Sequence, residues 1–235
     1  MTRVRVGTSG YNYPEWKGSF YPEDMKPARM LPFYAERFST VEINATFYRM
    51  PTPATVEGWA TAVPATFTFV LKAPQRITHF ARLKNVGELV RFFCDTASVL
   101  GARLGPLFFQ LPPNFKKDVA RLAELLGELP ADRRAAFEFR HASWFEDDVY
   151  TALRARNAAL CIADTEDGST PAVSTADWGY LRLRAVDYTD AQLRDWLATL
   201  RRIGGGWQDA FVFFKHEDEG TAPRLAARLI ERLAV

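Results

Sequence analysis

The chain has 235 residues, 48% of them hydrophobic, with 18 Phe, 8 Tyr and 6 Trp; this is too apolar for a disordered segment and long enough to bury a sizeable core. Thirty Lys and Arg against 28 Asp and Glu leave a net charge of +2, which excludes a dedicated polyanion-binding module and makes any anion site local. The two cysteines, Cys94 and Cys161, give neither a disulfide framework nor metal-ligand spacing and are expected as buried small hydrophobes in a reduced compartment.

The opening MTRVRVGTSG lacks the apolar stretch of a secretory signal. No run approaches the roughly 18–20 apolar residues that cross a bilayer, so a cytoplasmic protein without a membrane partner is expected. Along the chain, eight short β-rich runs alternate with longer amphipathic ones, the pattern of repeated βα units on a parallel sheet. The runs are 3–8, 40–44, 67–72, 107–111, 135–140, 159–164, 180–184 and 211–216. Helical spacing is clearest in Leu89, Phe92, Phe93, Leu100 and Leu104, in Val119, Leu122, Leu125 and Leu126, and in Leu225, Leu229 and Leu233. Eight units of about 29 residues fit a TIM-type (β/α)8 barrel, an α/β fold forming one domain over 1–235. Between Asp164 and Tyr180 the chain is short and polar, with Gly168, Ser169, Thr170 and Pro171, so the sixth helix is expected to be reduced or missing. An open doubly wound sheet uses the same alternation, but no Gly-rich nucleotide fingerprint accompanies it here.

Successive side chains of a strand face opposite ways, so a polar residue informs most where its parity sets it against an apolar face. Val41 and Ile43 oppose Glu42 and Asn44, Phe137 and Phe139 oppose Glu138 and Arg140, and Leu181 and Leu183 oppose Arg182 and Arg184. Lys72 opposes Phe69 and Leu71, and Gln110 opposes Leu107, Phe109 and Leu111. With the apolar faces under the helices, Glu42, Asn44, Lys72, Gln110, Glu138, Arg140, Asp164, Arg182, Arg184, Lys215 and His216 are expected at the carboxyl-end mouth, where barrels of this kind carry their sites. Lys215 and His216 have opposite parity, so only one points inward without a bulge. The plain alternative is an internal ion-pair network that fixes register without chemistry. His79, seven residues beyond Lys72, and His141, in FEFRHASWF beside Trp144, also follow strand ends.

GTSGYNYPEW from Gly7, TVEINATFYRMP from Thr40, FVLKAP from Phe69, ITH ending at His79, LFFQLPP from Leu107, FEFRHASWF from Phe137, Asp164 and YLRLR from Tyr180 together resemble the YecE-like family, domain of unknown function family seventy-two. The resemblance spans nearly the whole chain. It implies a TIM-type barrel in one domain and supplies no activity. Two departures stand out: Ala185 follows Leu183 and Arg184 where many relatives continue to a histidine, and FKHEDEG from Phe214 replaces an ending that often contains asparagine.

Four chemistries compete for the mouth. The first is an enzyme: Lys72, Arg140, Arg182, Arg184 and Lys215, with Ser9 in the loop after the first strand, bind an anionic, phosphate-bearing small molecule or nucleic-acid fragment. Glu42 or Glu138 then acts as general base and His141 as acid. The second is metal-assisted hydrolysis by Glu42, Glu138, Asp164, His141, His216 and Glu217; no cofactor is required by the sequence, but hard oxygen and imidazole donors suit a divalent metal. The third is glycoside cleavage by Glu42 and Glu138 with Trp16, Trp59 or Trp144 as platforms. The fourth is a noncatalytic protein that binds a metabolite or nucleic acid, with Arg201, Arg202, Arg224 and Arg228 extending a basic track. Neither composition nor pattern sets an oligomeric state.

Overall fold

The computed structural model describes residues 2–166, 168–215 and 219–233. Eight parallel strands form the barrel: β1 (Arg3–Thr8), β2 (Thr40–Ile43), β3 (Thr68–Lys72), β4 (Leu104–Gln110), β5 (Ala135–Glu138), β6 (Ala159–Thr165), β8 (Trp178–Leu183) and β9 (Asp209–Phe214). The two-residue β7 (Gly168–Ser169) pairs antiparallel with the end of β6. Hydrogen-bonded neighbours run β1, β9, β8, β6, β5, β4, β3, β2. The ring closes through a bridge between Ser9 and Glu42, where Gly10 N–H donates to the Glu42 carbonyl at 2.8 Å. Sequential neighbours around a closing ring exclude the doubly wound alternative.

Closure depends on a close backbone approach at Gly7, where a Cβ would lie 2.2 Å from the Thr40 carbonyl oxygen. Any other residue would hold β1 away from β2.

Outside the strands lie α1 (Pro27–Ala35), α2 (Ala45–Tyr48), α3 (Pro53–Thr61), α4 (Gly87–Ser98), α5 (Val119–Glu128), α6 (Asp147–Ala155), α7 (Asp190–Ile203) and α8 (Thr221–Leu233). Their starts carry the expected signals: Pro opens α1 and α3, Asp118 accepts from Arg121 N–H before α5, and Thr189 with Gln192 forms a capping box at α7. The 89–104 helical pattern is shorter than its apolar spacing: α4 ends at Ser98, Leu104 opens β4, and Phe92 is 56% exposed.

No helix joins β6 to β8 among the described residues, as the short polar interval implied. Side-chain bonds and one large ring cover the strands instead. Thr170 Oγ1 accepts from Ala163 N–H at 2.9 Å, and Thr175 Oγ1 accepts from Leu160 N–H at 2.8 Å and donates to Ala158 O at 2.7 Å. Trp207 lies on Gly179, where a Cβ would sit 2.1 Å from the ring, and its Nε1 donates to Ser174 Oγ at 2.8 Å.

Strand parity divides the core into two. Val41, Ile43, Phe69, Leu71, Leu107, Phe109, Phe137, Leu181, Leu183, Val212 and Phe214 pack outward against the helices. Val70, Phe108, Ala136, Ala159, Cys161, Ala163, Trp178, Tyr180, Phe211 and Phe213 fill the barrel interior. Each buried Leu or Phe contributes about 1.5–3 kcal/mol of burial. Cys94 and Cys161 are both buried free thiols. Among the described residues no helix is long and apolar enough to cross a membrane.

Candidate functional site at the barrel mouth

The interior parity that carries apolar groups at the middle of the barrel delivers polar ones at its carboxyl end. Arg182, two residues after Tyr180 on β8, is 1% exposed and occupies the centre. Its Nη2 donates to Glu42 Oε1 at 3.0 Å and its Nη1 to Glu138 Oε2 at 2.6 Å. Phe108 lies beneath, its ring centre 4.7 Å from the guanidinium carbon. Burial opposes the charge on Arg182, but Glu42 and Glu138 outweigh it and raise its pKa.

Both carboxylates are held by several donors. Glu42 accepts from Ser9 Oγ at 2.8 Å and from Tyr180 OH at 2.5 Å besides Arg182. The Tyr180 pKa is raised, by burial first and the Glu42 charge second, so its hydroxyl stays a donor. Glu138 accepts from Arg140 Nε at 2.9 Å and from the Cys161 thiol at 3.9 Å, with Arg184 Nη1 3.8 Å away. Burial alone would raise the Glu138 pKa, yet Arg182 and Arg140 hold it down at about 2. A carboxylate held there is a weak base and is never an acid near neutrality. That displacement also runs against glycoside cleavage, whose acid needs a raised pKa.

Lys72 sits at the end of β3, 9% exposed. Thr46 Oγ1, on α2, donates to the Lys72 carbonyl at 2.6 Å and so docks α2 against the strand end. The ammonium donates to Gln110 Oε1 at 2.9 Å and stands 4.2 Å from the Phe47 ring centre. Gln110 Oε1 also faces Arg182 Nη1 at 3.5 Å, linking Lys72 to the central cluster. Burial first, then repulsion from Arg182, pushes the Lys72 pKa down to about 7 against the pull of Glu42 and Glu138.

Two clefts open over this cluster. One, of about 410 Å³, is lined by Lys72, Lys215, Asn44, Tyr11, Tyr13 and Trp59, among others. The other, of about 520 Å³, is lined by Glu138, Arg140, Arg184, Thr165, Thr170 and Phe145, among others. Asn44 Nδ2 and Arg184 Nε are buried donors without a hydrogen-bond partner among the described residues.

The structure thus brings together Glu42, Asn44, Lys72, Gln110, Glu138, Arg140, Arg182, Arg184 and Lys215 of the sequence-derived set. Lys215 follows the inward parity of Phe211 and Phe213 and lines the lysine cleft. His216 and Glu217 lie outside the described residues. Ser9 lies beneath the cluster, its hydroxyl donating to Glu42 and its N–H to the Phe214 carbonyl. Asp164 is not brought to the cluster. The inward positions of β6 are Ala159, Cys161 and Ala163, and Asp164 instead accepts from Ser169 Oγ at 2.5 Å and Tyr188 OH at 2.7 Å, clasping β7 and the β8–α7 loop. His141 lines neither cleft; its Nδ1 accepts from Ser143 N–H at 3.2 Å as the cap of the turn Ala142–Trp144.

Trp16 and Trp144 are fully buried, the latter stacked 4.6 Å from Phe139, so only Trp59 of the three ring platforms reaches a cleft. Among the described residues no three His, Cys, Asp or Glu side chains are placed to hold a metal ion. Parity alone had not singled out Phe47, Tyr180 or Cys161, whose signal was their place on the inward face or beside Asn44. His79 meets Phe47 edge-on, with ring centres 4.9 Å apart, on the same ring that Lys72 faces.

The sequence profile of the family described as "Protein of unknown function DUF72" matches residues 5–235. The chain belongs to the DUF72 family. Among DUF72 relatives it is 30% identical to the UPF0759 protein YecE of Escherichia coli K12 over 69% of this chain; it spans only 59% of that protein's length. It is 25% identical to the UPF0759 protein YunF of Bacillus subtilis, over 99% of this chain and 95% of YunF. The crystal structure of a DUF72 protein from Thermotoga maritima superposes with a TM-score of 0.88 at 26% identity, covering 99% of this chain and 100% of that one. One from Enterococcus faecalis does so at 0.79 and 19% identity, covering 100% and 99%, which bears on the fold alone. The barrel is therefore shared across the DUF72 family, and the fold by itself assigns the mouth no chemistry.

Proposed function

We propose that this protein is an enzyme that binds a small anionic substrate, phosphate- or carboxylate-bearing, at the carboxyl-end mouth of the barrel. The supporting observation is a charge surplus among the described residues: five basic side chains, Lys72, Arg140, Arg182, Arg184 and Lys215, converge on three carboxylates, of which Glu42 and Glu138 are held by Arg182 and Arg140 and Glu166 lines the larger cleft. Arg140 and Arg184, 31% and 22% exposed, reach solvent in the larger cleft and present forked donors to an anion. In this reading Glu42 and Glu138 aim the arginines. The group that exchanges a proton near pH 7 is Lys72, and the role sought among Glu42, Glu138 and His141 passes to it.

The test is a thermal titration with phosphate at constant ionic strength. An anion at 100 times its Kd stabilises by about 2.7 kcal/mol, a rise of roughly 5–10 °C in Tm for a chain of this size. Arg184→Met combined with Arg140→Met should abolish that rise while leaving the barrel folded. A rise that survives in the double variant, or none in the parent for phosphate, sulfate and small carboxylates, removes the reading.

A second reading, a noncatalytic binder of single-stranded nucleic acid, is favoured by one observation. Tyr48, on the rim of the lysine cleft, and Phe80, in the β3–α4 connection, are 73% and 72% exposed and offer faces on which bases stack. Oligonucleotide affinity that falls steeply with salt supports it; no binding at low salt removes it.

A further inference from the structure

We propose that Lys72 is a nucleophile: its amine forms an imine with the carbonyl carbon of a small aldehyde or oxo acid whose anionic group the mouth holds. The inference rests on the anion-site reading and assigns that site a substrate class.

The environment of the amine carries it. Lys72 Nζ ends an inward-facing strand position and opens into the 410 Å³ cleft. Its close neighbours are a neutral amide oxygen, Gln110 Oε1 at 2.9 Å, and the face of Phe47. Among the described residues no carboxylate comes within ion-pairing distance of it. Lys117 is the contrast: it lies on the surface against Glu146 and Asp148, which hold its proton on and raise its pKa. At Lys72 burial and the charges of Arg182 and Lys215 work the other way. A lysine desolvated beside another cation is the arrangement that frees an amine lone pair for attack near neutral pH. Asn44 supplies the second observation: it lines the same cleft, and its buried Nδ2 has no partner among the described residues, so a turn of the amide would offer a carbonyl or carboxylate oxygen of the substrate a donor.

The step balances without any further reagent. The neutral amine attacks the carbonyl carbon, forming a C–N bond as the C=O π electrons move to oxygen. The nitrogen passes one proton to that oxygen, giving a carbinolamine. A second proton, from solvent in the open cleft, lets the hydroxyl leave as water while the nitrogen lone pair closes the C=N bond. The product is a protonated imine, one positive charge held where Lys72 held one when protonated.

The experiment traps the imine. The full chain is incubated at pH 7 with glyoxylate, pyruvate or pyridoxal 5′-phosphate and sodium cyanoborohydride, and labelled lysines are located by peptide mass spectrometry. The chain has seven lysines. Lys72 should be reduced at least about tenfold faster than Lys117 with at least one of the three probes, because its lone pair is free at that pH. Labelling of Lys72 no faster than Lys117 with all three overturns the proposal. Lys215→Met should slow Lys72 labelling at pH 7, since Lys215 adds to the burial and Arg182 charge that lower the Lys72 pKa, and the slowing should fade as pH is raised toward about 9, which lost anion binding alone would not produce. Lactate, which carries the carboxylate without the carbonyl, separates the two readings. If lactate or phosphate raises Tm but Lys72 is not trapped, the anion site stands and the imine falls. If Lys72 is trapped but neither anion raises Tm or slows labelling, the imine stands and the anion reading falls.

Discussion

Taking a guanidinium out of water costs several kcal/mol unless its partners return it, and Arg182 has two buried carboxylates doing so. Removing one member of such a group strands the others. Arg182→Met should therefore destabilise the barrel by about 3–5 kcal/mol, read as a lower urea midpoint, since it leaves Glu42 and Glu138 facing each other without a cation between them. Adding Glu42→Gln and Glu138→Gln to that variant should recover much of the loss, because the stranded charges go with it. If the triple variant is less stable than the single one by the sum of separate losses, the three residues are not one unit. A stacked, forked cation is also not replaceable by a point charge: Arg182→Lys should lose most of what Arg182→Met loses, since one ammonium cannot bond both carboxylates at Arg182's distances while lying flat on Phe108.

At the scale of elements, the closing seam between β1 and β2 is the point of greatest constraint. Gly7→Ala drives a Cβ into the Thr40 carbonyl at 2.2 Å, so it should cost about 1–3 kcal/mol and raise amide exchange in β1 and β2 before it does so in β5. Uniform exchange across the strands would show that the seam is not the weak point. The same elements show what was legible beforehand. β2, β5 and β8 each set apolar residues against polar ones, so their phase, and with it the inward direction of Glu42, Glu138 and Arg182, could be read from alternation alone. β6 cannot be phased that way: Leu160, Cys161, Ile162 and Ala163 are apolar on both faces, so only its position at the strand end, and not parity, points Asp164 to the mouth. Who pairs with whom was out of reach, because Glu42 and Arg182 meet across the barrel from 140 residues apart. The state of Lys72 was equally hidden, since it depends on burial under α2, a four-residue helix with no periodic signal of its own.

At the scale of the whole molecule, a net charge of +2 conceals buried groups that bind protons differently in the folded and unfolded chain, and stability must follow pH accordingly. Glu138 is held at about 2 against an ordinary 4.5, so the unfolded chain takes up a proton that the folded one refuses; its contribution is whole above pH 4.5 and is lost as pH falls toward 2. Lys72 falls from 10.5 to about 7, so between those values the unfolded chain keeps a proton that the folded one gives up, and stability rises with pH across that window. From pH 10 upward the buried hydroxyls of Tyr21, Tyr34, Tyr180 and Tyr188, kept protonated chiefly by burial, pull the other way. Comparing Lys72→Met with the parent cancels these shared terms. At pH 7 and below the variant should be the more stable by roughly 1–3 kcal/mol, the usual cost of a desolvated polar group. That advantage should shrink steadily as pH rises from 7 to 10.5, where the parent's amine is neutral in both states and burying it no longer costs a charge. Urea midpoints of the two proteins at half-unit pH steps measure this directly. An advantage that does not change with pH would mean that Lys72 keeps its proton in the folded barrel, and both its proposed proton exchange and its proposed nucleophilic role would lose their footing together.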